Sequence, residues 1–206
     1  MRFLFAAVVL FAGCAEQYRG VVSLSPRAGI TADDYDEVLN RWTRRDRVYD
    51  RLRSVLFVDA TFHSPEFRVA FLARHREVYG RGSEEARRLA LTETEEGVEE
   101  GLEFFISAWT PQVHDNDMSD ADSIWRVTLE GQGGVRVDGT VRRVKTSANV
   151  RVIYPYVTDF ARTYAVRFPR TSATGEPLIT VATDQFVLRL TSAIGEARMT
   201  WRLREN

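Results

Sequence analysis

Residues 102–109 read Leu102-Glu103-Phe104-Phe105-Ile106-Ser107-Ala108-Trp109, and Pro111 closes the run. Leu102, Phe104, Ile106 and Ala108 fall on one side of a two-residue period; Glu103, Phe105, Ser107 and Trp109 fall on the other. Both sides carry large apolar groups, so the segment is predicted to be a strand buried on both faces.

Downstream, the same short period recurs. Ile124 to Glu130 and Val135 to Val144 are predicted strands, joined by the hairpin signal Gly131-Gln132-Gly133-Gly134. Val150 to Tyr154, Tyr164 to Phe168, Leu178 to Val181, Phe186 to Thr191 and Ala197 to Leu203 are further strand candidates, with turns at Thr174-Gly175-Glu176-Pro177 and Ile194-Gly195. Many short strands separated by turn chemistry predict an antiparallel β-sandwich or open barrel over residues 102–206. Trp109, Trp125, Tyr154, Tyr156, Tyr164 and Trp201 are the expected bulk of its core and of its helix-facing surface.

Upstream, the period is helical. Thr31-Ala32-Asp33-Asp34 has the hydroxyl and acids of a helix start, and Tyr35, Val38, Leu39, Trp42, Tyr49 and Leu52 recur at helical spacing. Val55 to Phe62 is apolar and open to either strand or helix. Ser64-Pro65-Glu66 starts a second helix striped by Phe67, Ala70, Phe71 and Val78, and Ser83-Glu84-Glu85 starts a third, highly charged one. The fold class expected is therefore α+β, with N-terminal helices (31–101) packed on the C-terminal β region (102–206). Residues 31–206 are expected to form one folding unit.

Composition sets limits on function. Of 206 residues, 44% are apolar and 28% charged, so the chain can bury a core and is not disordered throughout. The formal net charge is -1, and Lys145 is the only lysine among the basic side chains. Bulk charge gives no reason to expect a nucleic-acid partner, and leaves open only a local basic patch. No apolar run approaches the roughly 20 residues of a spanning helix.

The chain opens with Arg2, the apolar run Phe3 to Phe11, and then Ala12-Gly13-Cys14, the only cysteine. The run is too short to span a bilayer but suits a signal peptide over residues 1–13. A competing reading makes Cys14 an ordinary buried thiol. Residues 14–30, with Gly20, Pro26 and Gly29, read as a tether pinned by Val21-Val22-Ser23-Leu24.

Chemistry-bearing groups are sparse. His63, His75 and His114 lack metal-ligand spacing. The loop His114-Asp115-Asn116-Asp117-Met118-Ser119-Asp120-Ala121-Asp122 gathers oxygen ligands suited to a hard cation, with Asp115, Asp117, Asp120 and Asp122 as candidate metal ligands. It lacks the glycine and distal glutamate of an EF-hand, and a solvated connection with Asx-turns explains it as well. Tyr154-Pro155-Tyr156, followed by Phe160 and Tyr164, is either a binding patch through Tyr154 and Tyr156 or part of the core. There is no GxSxG motif and no phosphate-cradling glycine loop, so no catalytic residue is assigned.

The segment Phe11-Ala12-Gly13-Cys14 resembles the lipobox of bacterial lipoprotein precursors, with Phe11 where the family usually has Leu. The resemblance implies cleavage before Cys14, a thioether-linked diacylglycerol on it, and acylation of the new amino terminus. The covalent lipid would then be the only prosthetic group expected. Ala15 after the cysteine implies sorting to the outer membrane, facing the periplasm. Trp125, Tyr154-Pro155-Tyr156, Tyr164, Phe168-Pro169 and Trp201 are similar to a pattern in uncharacterised bacterial envelope lipoproteins, which lend no activity. The function expected is a lipid-anchored cell-envelope protein that binds or supports another envelope component, with the membrane as its partner through the anchor. Two alternatives stay open: an envelope hydrolase or metal-dependent enzyme using loop 114–122, and a small-ligand carrier with a cavity between helices and sheet.

Overall fold

The computed structural model describes Tyr18 and residues 20–25, 27–79, 101–180 and 182–203. The predicted signal peptide, Cys14 and the charged helix from Ser83 lie outside the described residues.

The strand predicted over 102–109 forms as β4 (Leu102–Trp109) in the order β1 (Val21–Val22), α1 (Tyr35–Trp42), β2 (Thr43–Asp50), β3 (Arg53–Phe62), α2 (Pro65–Tyr79), β4. There follow β5 (Arg126–Glu130), β6 (Arg136–Asp138), β7 (Thr140–Val144), α3 (Ala148–Ile153), β8 (Arg162–Phe168), β9 (Gln185–Ser192) and β10 (Gly195–Leu203). The fold is α+β, with two five-stranded sheets of order β1-β10-β9-β5-β6 and β2-β3-β4-β8-β7. All pairings are antiparallel except β1 with β10, which pins the N-terminal segment as the sequence suggested.

β4 is central in the second sheet and is covered on both sides. Phe104, Ile106 and Ala108 face the first sheet and are fully buried. There Phe104 meets Trp201 of β10 at 5.4 Å between ring centroids, and Phe62 of β3 meets Phe186 of β9 at 5.1 Å. On the opposite face, Phe105 stacks on Tyr154, 3.8 Å away and nearly parallel. Tyr35 of α1 and Phe67 of α2 close over that face, and the Tyr35 hydroxyl donates to the carbonyl of Ile153 at the end of α3. Burial pushes the Tyr35 phenol far above its ordinary value. Each such buried aromatic contributes about 1.5–3 kcal/mol of transfer free energy.

Four expectations about local structure are corrected. The first helix ends at Trp42 instead of running to Leu52: its buried stripe is Tyr35, Val38, Leu39 and Trp42. The Thr43 hydroxyl donates to the Leu39 carbonyl, occupying an acceptor the helix end leaves open, and the backbone turns extended there. β2 and β3 then form a hairpin, so residues 31–101 contribute strands as well as helices. Residues 150–153 belong to α3 instead of a strand, with Tyr154 at its C-cap, because Ser147 caps the helix start by accepting from the Val150 amide. Leu178 to Val181 forms no strand in its described part; Pro177 makes one isolated bridge to Thr171. The second helix starts as read, with the Ser64 hydroxyl oxygen accepting from the Phe67 amide.

Val135 to Val144, read as one strand, is two. β6 pairs with β5 in one sheet and β7 pairs with β8 in the other, with Gly139 between them. A methyl group on Gly139 would stand 2.6 Å from a Val166 methyl and 2.7 Å from the Phe168 ring. The chain can pass between sheets here only because this residue has no side chain. Gly139→Ala should therefore lower stability by about 1–3 kcal/mol through overpacking. An unchanged urea midpoint would show that the crossing is not tight.

A second lock ties β4 to α2. Glu103 lies 3.5 Å from an Arg68 terminal nitrogen and 3.7 Å from His63 Nδ1. Burial by itself would raise the Glu103 carboxyl, but His63, Arg68 and Arg167 outweigh it and hold the group near about 2, below its ordinary 4.5. A depressed carboxyl adds stability above its unfolded value and loses it as pH falls through the folded value. Glu103→Gln should cost about 1–3 kcal/mol at pH 6, with the deficit shrinking as pH drops from 4.5 toward 2. A deficit constant across that range in urea titrations would count against the lock.

Candidate functional site

The helices cover only part of the outer face of the second sheet. Beyond them, cross-strand register brings Arg45, Asp59 and Ser107 into one row, and Arg47, Phe57 and Trp109 into the next. The segment Tyr156–Ala161 rises over these rows and completes a cleft of about 450 Å³. Its polar floor is Arg45, Asp59, Arg47 and Ser107; its walls are Phe57, Trp109, Tyr156 and Phe160. That volume lies within the range of small-molecule sites.

Strand alternation builds the floor, since every second residue of β2, β3 and β4 points the same way. Asp59 is 7% exposed and sits between two guanidinium groups. Arg45 Nε lies 2.9 Å from Oδ1, and Arg47 approaches Oδ2 at 3.0 Å and Oδ1 at 3.2 Å. Arg47 also donates to the Val58 carbonyl at 2.8 Å, and its guanidinium carbon lies 5.4 Å from the centre of the Phe57 ring. Burial raises the Asp59 carboxyl above its ordinary value, although Arg47 and Arg45 pull it the other way. Two cations against one carboxylate leave the floor with a positive excess whenever Asp59 is ionised.

The walls are aromatic. Phe57 and Trp109 pack at 4.9 Å between centroids, and Tyr49 meets Phe57 edge-on at 5.6 Å. The Tyr156 hydroxyl bonds that of Thr61 at 2.7 Å, and burial raises its phenol well above the ordinary value. Phe160 is 81% exposed at the rim. An apolar ring held in water on a turn next to a polar floor suits contact with a ligand better than it suits the core.

The two tyrosines singled out from the sequence separate here. Tyr156 lines the cleft. Tyr154 is buried beneath it, with its hydroxyl 2.9 Å from His63 Nε2. Arg45, Arg47 and Asp59 are not among the candidates offered by the sequence, because a helical reading that runs from Tyr35 to Leu52 conceals the strand alternation. With residues 43–62 taken as two strands, the alternation Arg45, Arg47 opposite Phe57, Asp59 would have placed all four on one face.

The acidic loop is placed otherwise than a metal site requires. Among the described residues, no three His, Cys, Asp or Glu side chains gather as they would around an ion. Asp117 accepts from the Ser123 hydroxyl, and the Asp115 carbonyl accepts from the Trp125 indole. His114 Nε2 lies 2.9 Å from Asp115. The buried residue at the centre is Asn116: its amide donates to the Ala108 carbonyl at 2.8 Å, and its side-chain and backbone oxygens accept from Tyr164 at 2.9 and 2.7 Å. The Asn116 carbonyl also accepts from Arg162. The loop thus acts as a strut holding the end of β4 to β8.

Asn116→Ala should cost about 1–3 kcal/mol, because it leaves the buried Ala108 carbonyl without its side-chain donor, while the Tyr164 hydroxyl keeps the backbone carbonyl of residue 116. Thermal unfolding checks this, and added calcium is expected to leave the midpoints of both proteins unmoved. A calcium-dependent rise would overturn the strut assignment. No family model matches the chain, and neither does any curated protein or solved structure.

Proposed function

We propose that this chain is a lipid-anchored protein of the bacterial cell envelope that acts as a binding module, with the cleft between β2, β3, β4 and segment 156–161 as its site. The ligand is an amphipathic group, either a small molecule or an exposed chain end of an envelope component. Its flat apolar part lies against Phe57, Trp109 and Phe160, and its polar or anionic end lies on Arg45, Arg47 and Ser107. The observation that carries this reading is the pairing of an aromatic wall with a fixed Arg-Asp-Arg floor in one cleft. Side chains already held in place lose little freedom on binding, which favours affinity.

The anchor half of the proposal rests on Phe11-Ala12-Gly13-Cys14. Two or three acyl chains hold a protein at a membrane where one would not. Val21 pairs with β10 seven residues after Cys14, and seven residues reach at most about 25 Å. The folded part would therefore stay close to the bilayer surface, with the outer membrane facing the periplasm as its expected address. The two sheets are read as an open sandwich, continuous on one side through Gly139 and joined on the other by contacts between β2 and β10.

One preparation tests both halves. The full chain is expressed in a bacterial host and weighed intact. A mass of residues 14–206 plus acyl chains is expected, and Cys14→Ser should move the protein to the soluble fraction. Persistence of Cys14→Ser in membranes at high salt would remove the lipid as anchor. Binding is read by calorimetric titration with naphthalene-2-sulfonate, an aromatic anion. Trp109→Ala should weaken binding about tenfold, equivalent to about 1.4 kcal/mol. Binding unaffected by Trp109→Ala would overturn the cleft as the site.

A further inference from the structure

Arg44 is 3% exposed, yet among the described residues it has no carboxylate partner. Nε donates to the Thr200 carbonyl at 2.9 Å, and one terminal nitrogen donates to the carbonyls of Arg41 at 2.8 Å and Thr43 at 2.9 Å. Its guanidinium carbon lies 5.5 Å from the ring centres of both Trp201 and Tyr18. Carbonyl dipoles and ring faces compensate a buried cation only in part; a counter-ion is the usual complement. Burial lowers the Arg44 guanidinium to about 10, which still leaves it protonated at neutral pH.

A second pocket, of about 270 Å³, lies over this residue. Tyr18, Gly20, Arg44, Arg198, Thr200 and Arg202 frame it, and among the described residues no acidic side chain lines it. Arg45 reaches its edge, but its Nε is engaged by Asp59 on the other side of β2. Among the described residues, Arg202 has no ion pair, and Arg198 pairs only with Glu196, at 4.0 Å. Asp46 meets Arg198 through the backbone amide, 2.7 Å away, and does not line the pocket. Three guanidinium groups thus line one polar hollow to which no described residue contributes a negative charge.

We infer that this hollow is a binding site for a phosphate group, carried either on a lipid headgroup or on a small soluble phosphate ester. A carboxylate is satisfied by a single guanidinium fork, whereas a tetrahedral phosphate presents oxygens to several at once. The site is distinct from the aromatic cleft and stands without the lipid anchor. Its choice of source does rest on that anchor: Tyr18 follows Cys14 by four residues, a reach of at most about 14 Å, which would hold the hollow at headgroup depth.

The test uses the full chain, purified in detergent, and the double variant Arg198→Gln, Arg202→Gln. Both positions are exposed, and the Arg198 backbone bond to Asp46 is retained. An unchanged unfolding midpoint confirms the fold, and Arg202→Gln alone substitutes if the double variant falls short. Inorganic phosphate and glycerol 3-phosphate are titrated calorimetrically. Flotation of Cys14→Ser with phosphatidylglycerol vesicles, against phosphatidylcholine vesicles, reads the headgroup separately. The expected result is binding that weakens with salt and falls about tenfold or more in the double variant. Calorimetric binding without a preference for phosphatidylglycerol assigns the soluble ester; the preference with only weak free-phosphate binding assigns the headgroup. No phosphate or phosphatidylglycerol binding, or binding that the folded variant leaves intact, overturns the site. If Cys14 proves unacylated while phosphate binding still depends on the two arginines, the anchor falls and the site stands.

Discussion

The double burial of β4 sets the arrangement of the molecule. Phe104 and Phe105 are adjacent residues that point to opposite faces, and each is covered by an aromatic partner, Trp201 below and Tyr154 above. A strand buried in this way has to lie inside its sheet, hydrogen-bonded on both edges, because unpaired backbone groups buried away from water are costly. β3 and β8 supply those edges. The first sheet is held against one face, and the two N-terminal helices with α3 against the other. Trp109, at the end of the strand, lies past the helical cover, and there the cleft opens.

The other constraint lies between β2 and β10. The two strands run close together, but side chains rather than a backbone ladder join them. Arg44 bonds the Thr200 carbonyl and the Asp46 carboxylate accepts from the Arg198 amide; just before β2, the Trp42 carbonyl at the end of α1 accepts from the Trp201 indole. β2 is also the edge strand of its sheet, where open backbone groups invite pairing with another chain. Arg45 and Arg47, which keep part of their side chains in water, disfavour this, since pairing there would crowd charge. Ala60 lies opposite Arg44 in the ladder, and its small side chain leaves room for the guanidinium to fold inward.

Much of this architecture was legible in the sequence wherever period and turn chemistry agreed. The strand 102–109, the hairpin around Gly131–Gly134, β8, β9, β10 and the Ser64-Pro65 helix start all follow from local patterns that tertiary packing reinforces. The errors share a physical origin. Tyr49 and Leu52 lie at helical distances from Trp42 by coincidence, and both are exposed: the spacing matched a helix but no buried face stood behind it. Val150 to Tyr154 has β-branched residues, but Ser147 and the tight turn after Ile153 make it a helix. The break at Gly139 is invisible to periodicity because the two-residue alternation runs straight through it. Only the closeness of Val166 and Phe168 shows why a glycine stands there.

The site was less legible than the fold, because its parts are distant in sequence and ordinary in type. Asp59 sits in an apolar run and Arg45 in a basic one; neither is unusual until register places them side by side. The acidic loop stands out in the sequence because its oxygens lie close together along the chain, yet in the fold Asp117 is taken by the Ser123 hydroxyl and Asp115 by His114. The structure uses that loop through Asn116, whose buried side-chain amide donates to the Ala108 carbonyl and accepts from the Tyr164 hydroxyl. Arg44 and Arg45 make the same point on β2. As neighbours in a strand they serve opposite faces, one turned into the hollow beside β10 and the other into the aromatic cleft. Their roles differ because alternation places them in different surroundings, although their chemistry is identical.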